Sequence, residues 1–311
     1  MKKALVGLAV LPMLIASSGA FAVTTPRAQL VSQIATSVKL TSMPAGLTPS
    51  LATLAGAGYT TMRGSTTLAD CNAATMPSQI KNPTPCIRGN RSGTKTIVVI
   101  GDSTTGNWVP ALDAGLKKSA YKLLVYMYLG CPPVMLKPLP AGLTQAPTVP
   151  ADCVTWTQNV MTLTGKTKVA AVLIAVGPMG TSSLEAAMAV GMKKSFATAA
   201  PYSTERRVVL GGVVYFPIPN TQCLASRMNP SACTVALSSG ANPFILSRSK
   251  AMATAAAATL ISARQYLCTA TVCAGVVGNT VTAIDNDHFS VDFGLKIAPF
   301  VSADVLTAIG G

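Results

Sequence analysis

The segment Thr96-Ile97-Val98-Val99-Ile100-Gly101-Asp102-Ser103-Thr104-Thr105-Gly106-Asn107-Trp108-Val109-Pro110-Ala111-Leu112 decides how the chain is read. Thr96 to Ile100 are all β-branched, with no polar alternation among the last four. That is the pattern of a strand buried on both faces of a parallel sheet. A helix is predicted around Trp108–Ser119, with Pro110 tolerated in its first turn. Gly101-Asp102-Ser103 then stands at the carboxyl end of a buried strand, just before a helix, where open parallel sheets bind ligands. A serine on such a turn can expose its hydroxyl, and its N–H lies near a helix N-terminus suited to a developing oxyanion. Taken alone, these three residues are also ordinary turn formers.

Beyond this segment, strand-like runs recur at Lys122–Tyr128, Val169–Val176 and Val208–Phe216. Helical patterns fall at Ser183–Thr198 and Pro243–Tyr266, and a last helix is predicted over Val291–Ile309, kinked or split at Pro299. Strands alternating with helices imply βαβ units, hence an α/β fold of three layers with a parallel, flavodoxin-like sheet. This domain is expected over residues 95–311. Residues 23–94 read as an N-terminal extension, with a short helix near Ala28–Lys39 and a loop stapled by Cys71 and Cys86. Lys137–Pro150 is rich in Pro and Gly and is expected to be a surface loop beside the site.

Residues 1–22 have the features of a secretory signal peptide: Lys2 and Lys3, an apolar stretch from Ala4 to Ala16, and the small-x-small pattern Ala20-Phe21-Ala22. The mature chain is expected to begin at Val23. A retained anchor is the other reading, but the stretch is short and broken by Pro12. No later run approaches the ~18 apolar residues of a spanning helix. The mature protein is therefore expected to be exported and soluble, in the periplasm, the cell envelope or the medium.

Composition excludes several classes. Half of the 311 residues are hydrophobic and 11% are charged, so disorder driven by charge is ruled out. Lys and Arg number 24 against 10 Asp and Glu, a net charge of +14. The basic residues are scattered, as in Lys117-Lys118, Lys193-Lys194 and Arg206-Arg207, and aromatics are only 5%. A nucleic-acid footprint would cluster them, so the charge reads as solubility plus attraction to anionic envelope polymers. The eight cysteines are Cys71, Cys86, Cys131, Cys153, Cys223, Cys233, Cys268 and Cys273. An even count behind an export signal points to disulfides; spacing leaves the connectivity open, with sequential pairing the simplest arrangement. A zinc site would want CxxC spacing or a neighbouring His, and neither is present. No metal or cofactor is expected.

His288 is the one histidine. Any mechanism that needs an imidazole must use it. Asp285 stands three residues before it in Asp285-Asn286-Asp287-His288-Phe289-Ser290. A nucleophilic serine needs a base, and the base needs a carboxylate to fix its tautomer. Asp285 can supply that locally; Asp287 is the less obvious partner. A lone histidine is more often just a satisfied side chain, but its place after Asp285, in a chain that also carries strand–GDS–helix, reverses that balance.

These two blocks resemble the SGNH (GDSL-type) hydrolase superfamily. The likeness is closest to the extracytoplasmic SGNH domain found fused behind acyltransferase-3 membrane domains in bacteria. It extends over roughly residues 40–311 and includes Ser103 to Leu112, Gly130-Cys131-Pro132-Pro133, Cys153-Val154-Thr155-Trp156, Cys223-Leu224 with Cys233, and Asp285 with His288-Phe289-Ser290. The preamble Met43–Pro49 and the Cys71/Cys86 pair fit the same setting. The resemblance implies Ser103 as nucleophile, His288 as base and Asp285 as its orienting acid. It implies an oxyanion hole from the N–H groups of Ser103 and Gly130, and pairing of Cys71–Cys86, Cys131–Cys153, Cys223–Cys233 and Cys268–Cys273. Two positions depart from the family pattern. Thr104 stands where a His is usual, and Ala175-Val176-Gly177-Pro178 lacks the Asn that commonly serves the oxyanion. No membrane acyltransferase domain is expected within these 311 residues.

The implied function is an exported serine esterase or acyltransferase acting on O-acyl groups, O-acetyl foremost, of an envelope or extracellular glycan or a small acyl ester. A separate membrane protein would deliver acyl groups if the reaction is transfer. The rival reading is a non-catalytic glycan-binding or envelope scaffold that keeps the fold. A protease on the same triad fits less well, since nothing marks a peptide-binding cleft.

Overall fold

The computed structural model describes residues 25–55, 71, 78–136, 150–177, 184–201 and 206–311. The leader and the stretch 137–149 of the expected surface loop lie outside the described residues. Strands β1 (Cys86–Gly89), β2 (Lys95–Gly101), β3 (Tyr121–Met127), β4 (Ala171–Ala175), β5 (Arg207–Leu210) and β6 (Thr259–Ile261) form one sheet in the order β1-β3-β2-β4-β5-β6. All neighbours run parallel except β1, an antiparallel edge on β3. The helices of eight or more residues are α1 (Pro26–Ser37), α2 (Thr105–Leu116), α3 (Cys153–Gly165), α4 (Glu185–Ala199), α5 (Asn220–Arg227), α6 (Asn242–Ala255) and α7 (Val291–Ala308).

The β-branched run of β2 explains the layering. Its side chains alternate between the faces, and both faces are buried. Ile97 and Val99 join Trp108 and Leu112 of α2 and Phe293, Ile297 and Val301 of α7 in one core. Val98 and Ile100 join Trp156 of α3, Met188 and Phe196 of α4 and Met252 of α6 in the other. The result is an α/β fold with helices on both faces, as a two-sided apolar strand requires. From β2 the chain passes through α2 to β3 on one side, then through α3 to β4 on the other side of β2. That reversal opens a crevice at the carboxyl ends of β2 and β4, the place such sheets use for ligands.

Several elements differ from the sequence reading. Helix α2 begins at Thr105, one turn earlier, so Pro110 lies inside it. The run Val208–Phe216 pairs as a strand only to Leu210. Past it, Asn242 brackets Tyr215, accepting from its N–H (2.8 Å) and donating to its carbonyl (3.0 Å). The span Pro243–Tyr266 is not one helix. α6 ends at Ala255, Ala257 takes a left-handed φ of 48°, and Ala258 N–H returns to the Ala253 carbonyl. This is a Schellman ending with alanine where glycine is usual. The β-branched Thr259 and Ile261 then flank Leu260 in the edge strand β6. Helix α7 continues through Pro299. The carbonyl orphaned by that proline belongs to Leu295, which is 51% exposed, so water can satisfy it. The segment before residue 95 packs into the same molecule. Leu30 and Ile34 of α1 join the first core, Thr48 bridges to Thr280, and β1 extends the sheet.

Candidate active site

Ser103 follows β2 directly, on the turn that becomes α2. That turn is tightly built. A Cβ at Gly101 would lie 2.1 Å from Thr105 Oγ1 and 2.4 Å from the Ala175 carbonyl, so only glycine lets β2 close against β4 there. Asp102 is fully buried. One oxygen accepts from Thr104 N–H (2.8 Å) and the other from Gly177 N–H just past β4 (2.9 Å). Burial pushes the Asp102 carboxyl above its ordinary range, opposed by hydrogen bonds from the Thr104 side chain and from the Gly177 and Thr104 N–H groups, and by the charge of His288. Thr104, the departure from the family pattern, thus fixes the carboxylate behind the serine. The Gly177 N–H is engaged the same way. The Ser103 hydroxyl is partly exposed and has no hydrogen-bond partner among the described residues.

Asp285 to His288 form a turn braced from several sides. Asn220 N–H donates to the Asp285 carbonyl (3.1 Å), Phe216 N–H to the Asn286 carbonyl (2.7 Å), and Ile284 N–H to the His288 carbonyl (2.8 Å). Ala283 bridges to Phe289, and Ser290 caps α7 by accepting from Phe293 N–H (3.0 Å). Within the turn, Asp285 Oδ1 accepts from the N–H groups of Asp287 (3.0 Å) and His288 (2.8 Å). Its Oδ2 lies 2.8 Å from His288 Nδ1. Asp287 Oδ1 lies 3.2 Å from the same Nδ1. Burial would lower the pKa of His288, but hydrogen bonds and charge from Asp285 and Asp287 prevail and raise it to about 10. Burial likewise opposes, and the His288 contacts outweigh it, in holding Asp285 below the usual carboxylate range.

One residue joins the two halves. Asn107, buried on α2 one turn after Ser103, donates to the Asp287 carbonyl (3.1 Å) and accepts from Phe289 N–H (2.6 Å). The peptide groups on either side of His288 are therefore held by the helix that starts at the serine turn. The charge of His288 reaches Asp102, next to Ser103. Sequence reasoning did not single out Asn107. Its signal was its place four residues after Ser103, in the first turn of the helix that follows the serine.

The N–H groups of Ser103 and Gly130 make no hydrogen bond among the described residues. Gly130 has a φ of 74°, a conformation that favours glycine, and Cys131 next to it is bonded to Cys153 at the start of α3. The other disulfides are Cys71–Cys86, Cys223–Cys233 and Cys268–Cys273, with no free thiol among the described residues. Asp285, Asp287 and His288 place donor atoms within 4.8 Å of one another. The contacts within that group run from carboxylate to Nδ1, which is the arrangement of an acid–base cluster. No helix among the described residues is long and apolar enough to cross a membrane.

Comparison with known proteins bears on this geometry. The family described as SGNH domain (fused to AT3 domains) matches residues 70–303. Among solved structures, the periplasmic domain of a lipopolysaccharide acetyltransferase from Salmonella ser. Paratyphi A is similar at a TM-score of 0.55 and 18% identity, covering 80% of this chain and 91% of that one. A GDSL-like lipase from Bacteroides ovatus aligns at a TM-score of 0.42 and 13% identity, over 71% of this chain and 55% of that one. Comparison with curated proteins finds no match.

Proposed function

The chain belongs to the SGNH family, the domain found fused to AT3 domains, and from that premise we propose an extracytoplasmic serine esterase or acyltransferase that works on O-acyl groups of a glycan. The observation that supports the proposal is that Asn107, on the helix that follows Ser103, bonds the peptide groups on both sides of His288. A serine at the crevice of the sheet and a carboxylate-oriented imidazole are referred to one helix by Asn107. Because Nδ1 faces the carboxylates, Nε2 is the nitrogen left to take the serine proton.

In the proposed reaction Ser103 Oγ attacks the acyl carbonyl while His288 Nε2 accepts its proton. The carbonyl oxygen becomes an oxyanion received by the N–H groups of Ser103 and Gly130. The imidazolium returns the proton to the leaving alcohol, and the C–O ester bond breaks to leave an acyl-serine. Water or a sugar hydroxyl, deprotonated by His288, then attacks that ester and releases Ser103. Water gives hydrolysis; a sugar hydroxyl gives transfer. The four disulfides fit an oxidising, extracytoplasmic compartment. The fusion habit of the family makes a separate membrane acyltransferase the natural donor for the transfer reaction, and the acetyltransferase neighbour suggests acetyl as the group moved.

One observation favours the scaffold reading. Among the described residues at the end of β4 there is no Asn, and the Gly177 N–H is engaged by Asp102 rather than free to serve as a third oxyanion donor. Losing one such donor costs on the order of 100-fold or more in rate. The two readings separate in one experiment. The chain from Val23, produced in an oxidising compartment, is assayed beside Ser103→Ala on a short-chain aryl acetate and with a fluorophosphonate probe. The enzyme reading expects turnover and labelling that vanish in the variant. A folded, oxidised protein with neither would sink the simple esterase. Glycan binding that survives Ser103→Ala would then favour the scaffold.

A further inference from the structure

We propose that Asp287 is a second carboxylate partner of His288, a positioning residue that shares Nδ1 with Asp285 and shifts the working range of the base toward alkaline pH. The inference rests on the serine-hydrolase reading only for its kinetic consequence; its structural content concerns His288 alone.

The geometry makes the two aspartates unequal. Asp285 engages two backbone N–H groups through Oδ1 and aims Oδ2 at Nδ1 from 2.8 Å. It is both the organiser of the turn and the partner that fixes the tautomer. Asp287 brings Oδ1 to 3.2 Å from the same nitrogen. Its carbonyl is held by Asn107, so its backbone is fixed from α2 while its side chain reaches back over the ring. Nδ1 carries one hydrogen and faces two negative charges. The other charged group near the imidazole is Asp102 at the end of β2, also an acid. No basic side chain has an ion pair with these groups among the described residues. With two carboxylates against one ring nitrogen, the protonated form is favoured, in agreement with the upward direction for His288.

The sign of the consequence follows. A general base works in its neutral form, so a base whose proton is held by two carboxylates is populated only as pH rises. Activity should climb through neutral into alkaline pH. The same pair stabilises the imidazolium that forms in each half-reaction, which favours proton uptake from Ser103 and makes the return of that proton to the leaving alcohol the more demanding step.

The single histidine permits a direct test. The chain from Val23 carries a purification tag without histidine and is labelled with 15N in its imidazole, so every ring signal comes from His288. The ring is titrated by NMR in the wild type, Asp287→Asn, Asp287→Glu and Asp285→Asn, with thermal melts to establish folding. Asp287→Asn is expected to lower the midpoint by a pH unit or more, and to move the acid limb of kcat/KM on an aryl acetate down by the same amount. Asp287→Glu, which keeps the charge, is expected to retain the high midpoint. Asp285→Asn is expected to lower the midpoint and also to cut kcat by roughly 1,000-fold or more, through loss of the oriented tautomer. A midpoint in Asp287→Asn within about 0.3 unit of wild type would overturn the proposal. An inactive wild type whose midpoint still falls in Asp287→Asn would support it while removing the esterase reading.

Discussion

The carboxamide at position 107 directs its donor to the Asp287 carbonyl and its acceptor to the Phe289 N–H, so one side chain bonds both peptide groups flanking His288. Alanine there removes both bonds and strands two polar groups in a buried place, a loss of about 1–3 kcal/mol. A larger effect is expected on catalysis. Misplacing a base by an ångström can cost about 100-fold, so Asn107→Ala should lower kcat by that order with KM little changed. Steady-state kinetics beside a thermal melt would check it, and a loss confined to stability would show that Asn107 only packs. At this scale the sequence was partly legible. The Asp285–His288 contact could be read because the one histidine stands three residues after a carboxylate, and Ser103 stands out by its place between a buried strand and a helix. Asn107, Thr104 and Gly177 do not. Asn107 and Gly177 act by bonding a backbone or carboxylate group from another segment, and such pairings leave no mark on local sequence; Thr104 closes on Asp102 within its own turn.

Elements were legible where burial is two-sided or the cap is strong. The β-branched run of β2 could be read directly. The division of Pro243–Tyr266 could not, because the alanine-rich stretch Ala251–Ala258 suits a helix throughout and the break rests on Ala257 in a left-handed conformation. Strand β6 has three residues and exists because β5 offers it an edge. The element that positions Gly130 is the loop after β3, and its brace is covalent. Cys131–Cys153 closes a loop with a sequence separation of 22 and ties that loop to α3, where Tyr128 meets Trp156 edge-on. The chain-entropy account assigns such a bridge about 3 kcal/mol. Replacing both cysteines by serine is expected to lower the thermal midpoint by several degrees. If Gly130 N–H serves the oxyanion as proposed, acyl transfer should suffer disproportionately, because the loop that carries it would lose its covalent brace. Activity measured well below the new midpoint checks this: full turnover there would mean that the disulfide serves stability alone.

On the scale of the whole molecule, the question is whether the segment before residue 95 is an appendage or part of the fold. Its helix α1 buries Leu30 and Ile34 in the core beneath α7. Arg27 meets Asp304 at 2.5 Å, and Tyr266 donates to the same carboxylate oxygen at 2.6 Å. The Arg27 guanidinium also lies 5.3 Å from the ring centres of Tyr266 and Phe300. The ion pair is a third exposed on its Arg side, so screening leaves it worth ~0.5–1 kcal/mol. Burying Leu30 and Ile34 contributes roughly 1.5–3 kcal/mol each. The apolar contacts therefore outweigh the charge. Three chains can be compared by urea denaturation at low and moderate salt: residues 23–311, the same chain with Arg27→Ala, and residues 40–311. Arg27→Ala is expected to lower the midpoint slightly, with a smaller loss at higher salt. Removal of α1 should lower it severalfold more and be indifferent to salt. Helix α1 meets Asp304, Tyr266, Phe300 and Gly278 rather than Ser103 or His288, so kcat at room temperature is expected to survive Arg27→Ala unchanged. Equal midpoints for the 23–311 and 40–311 chains would make α1 an appendage and leave the core complete without it.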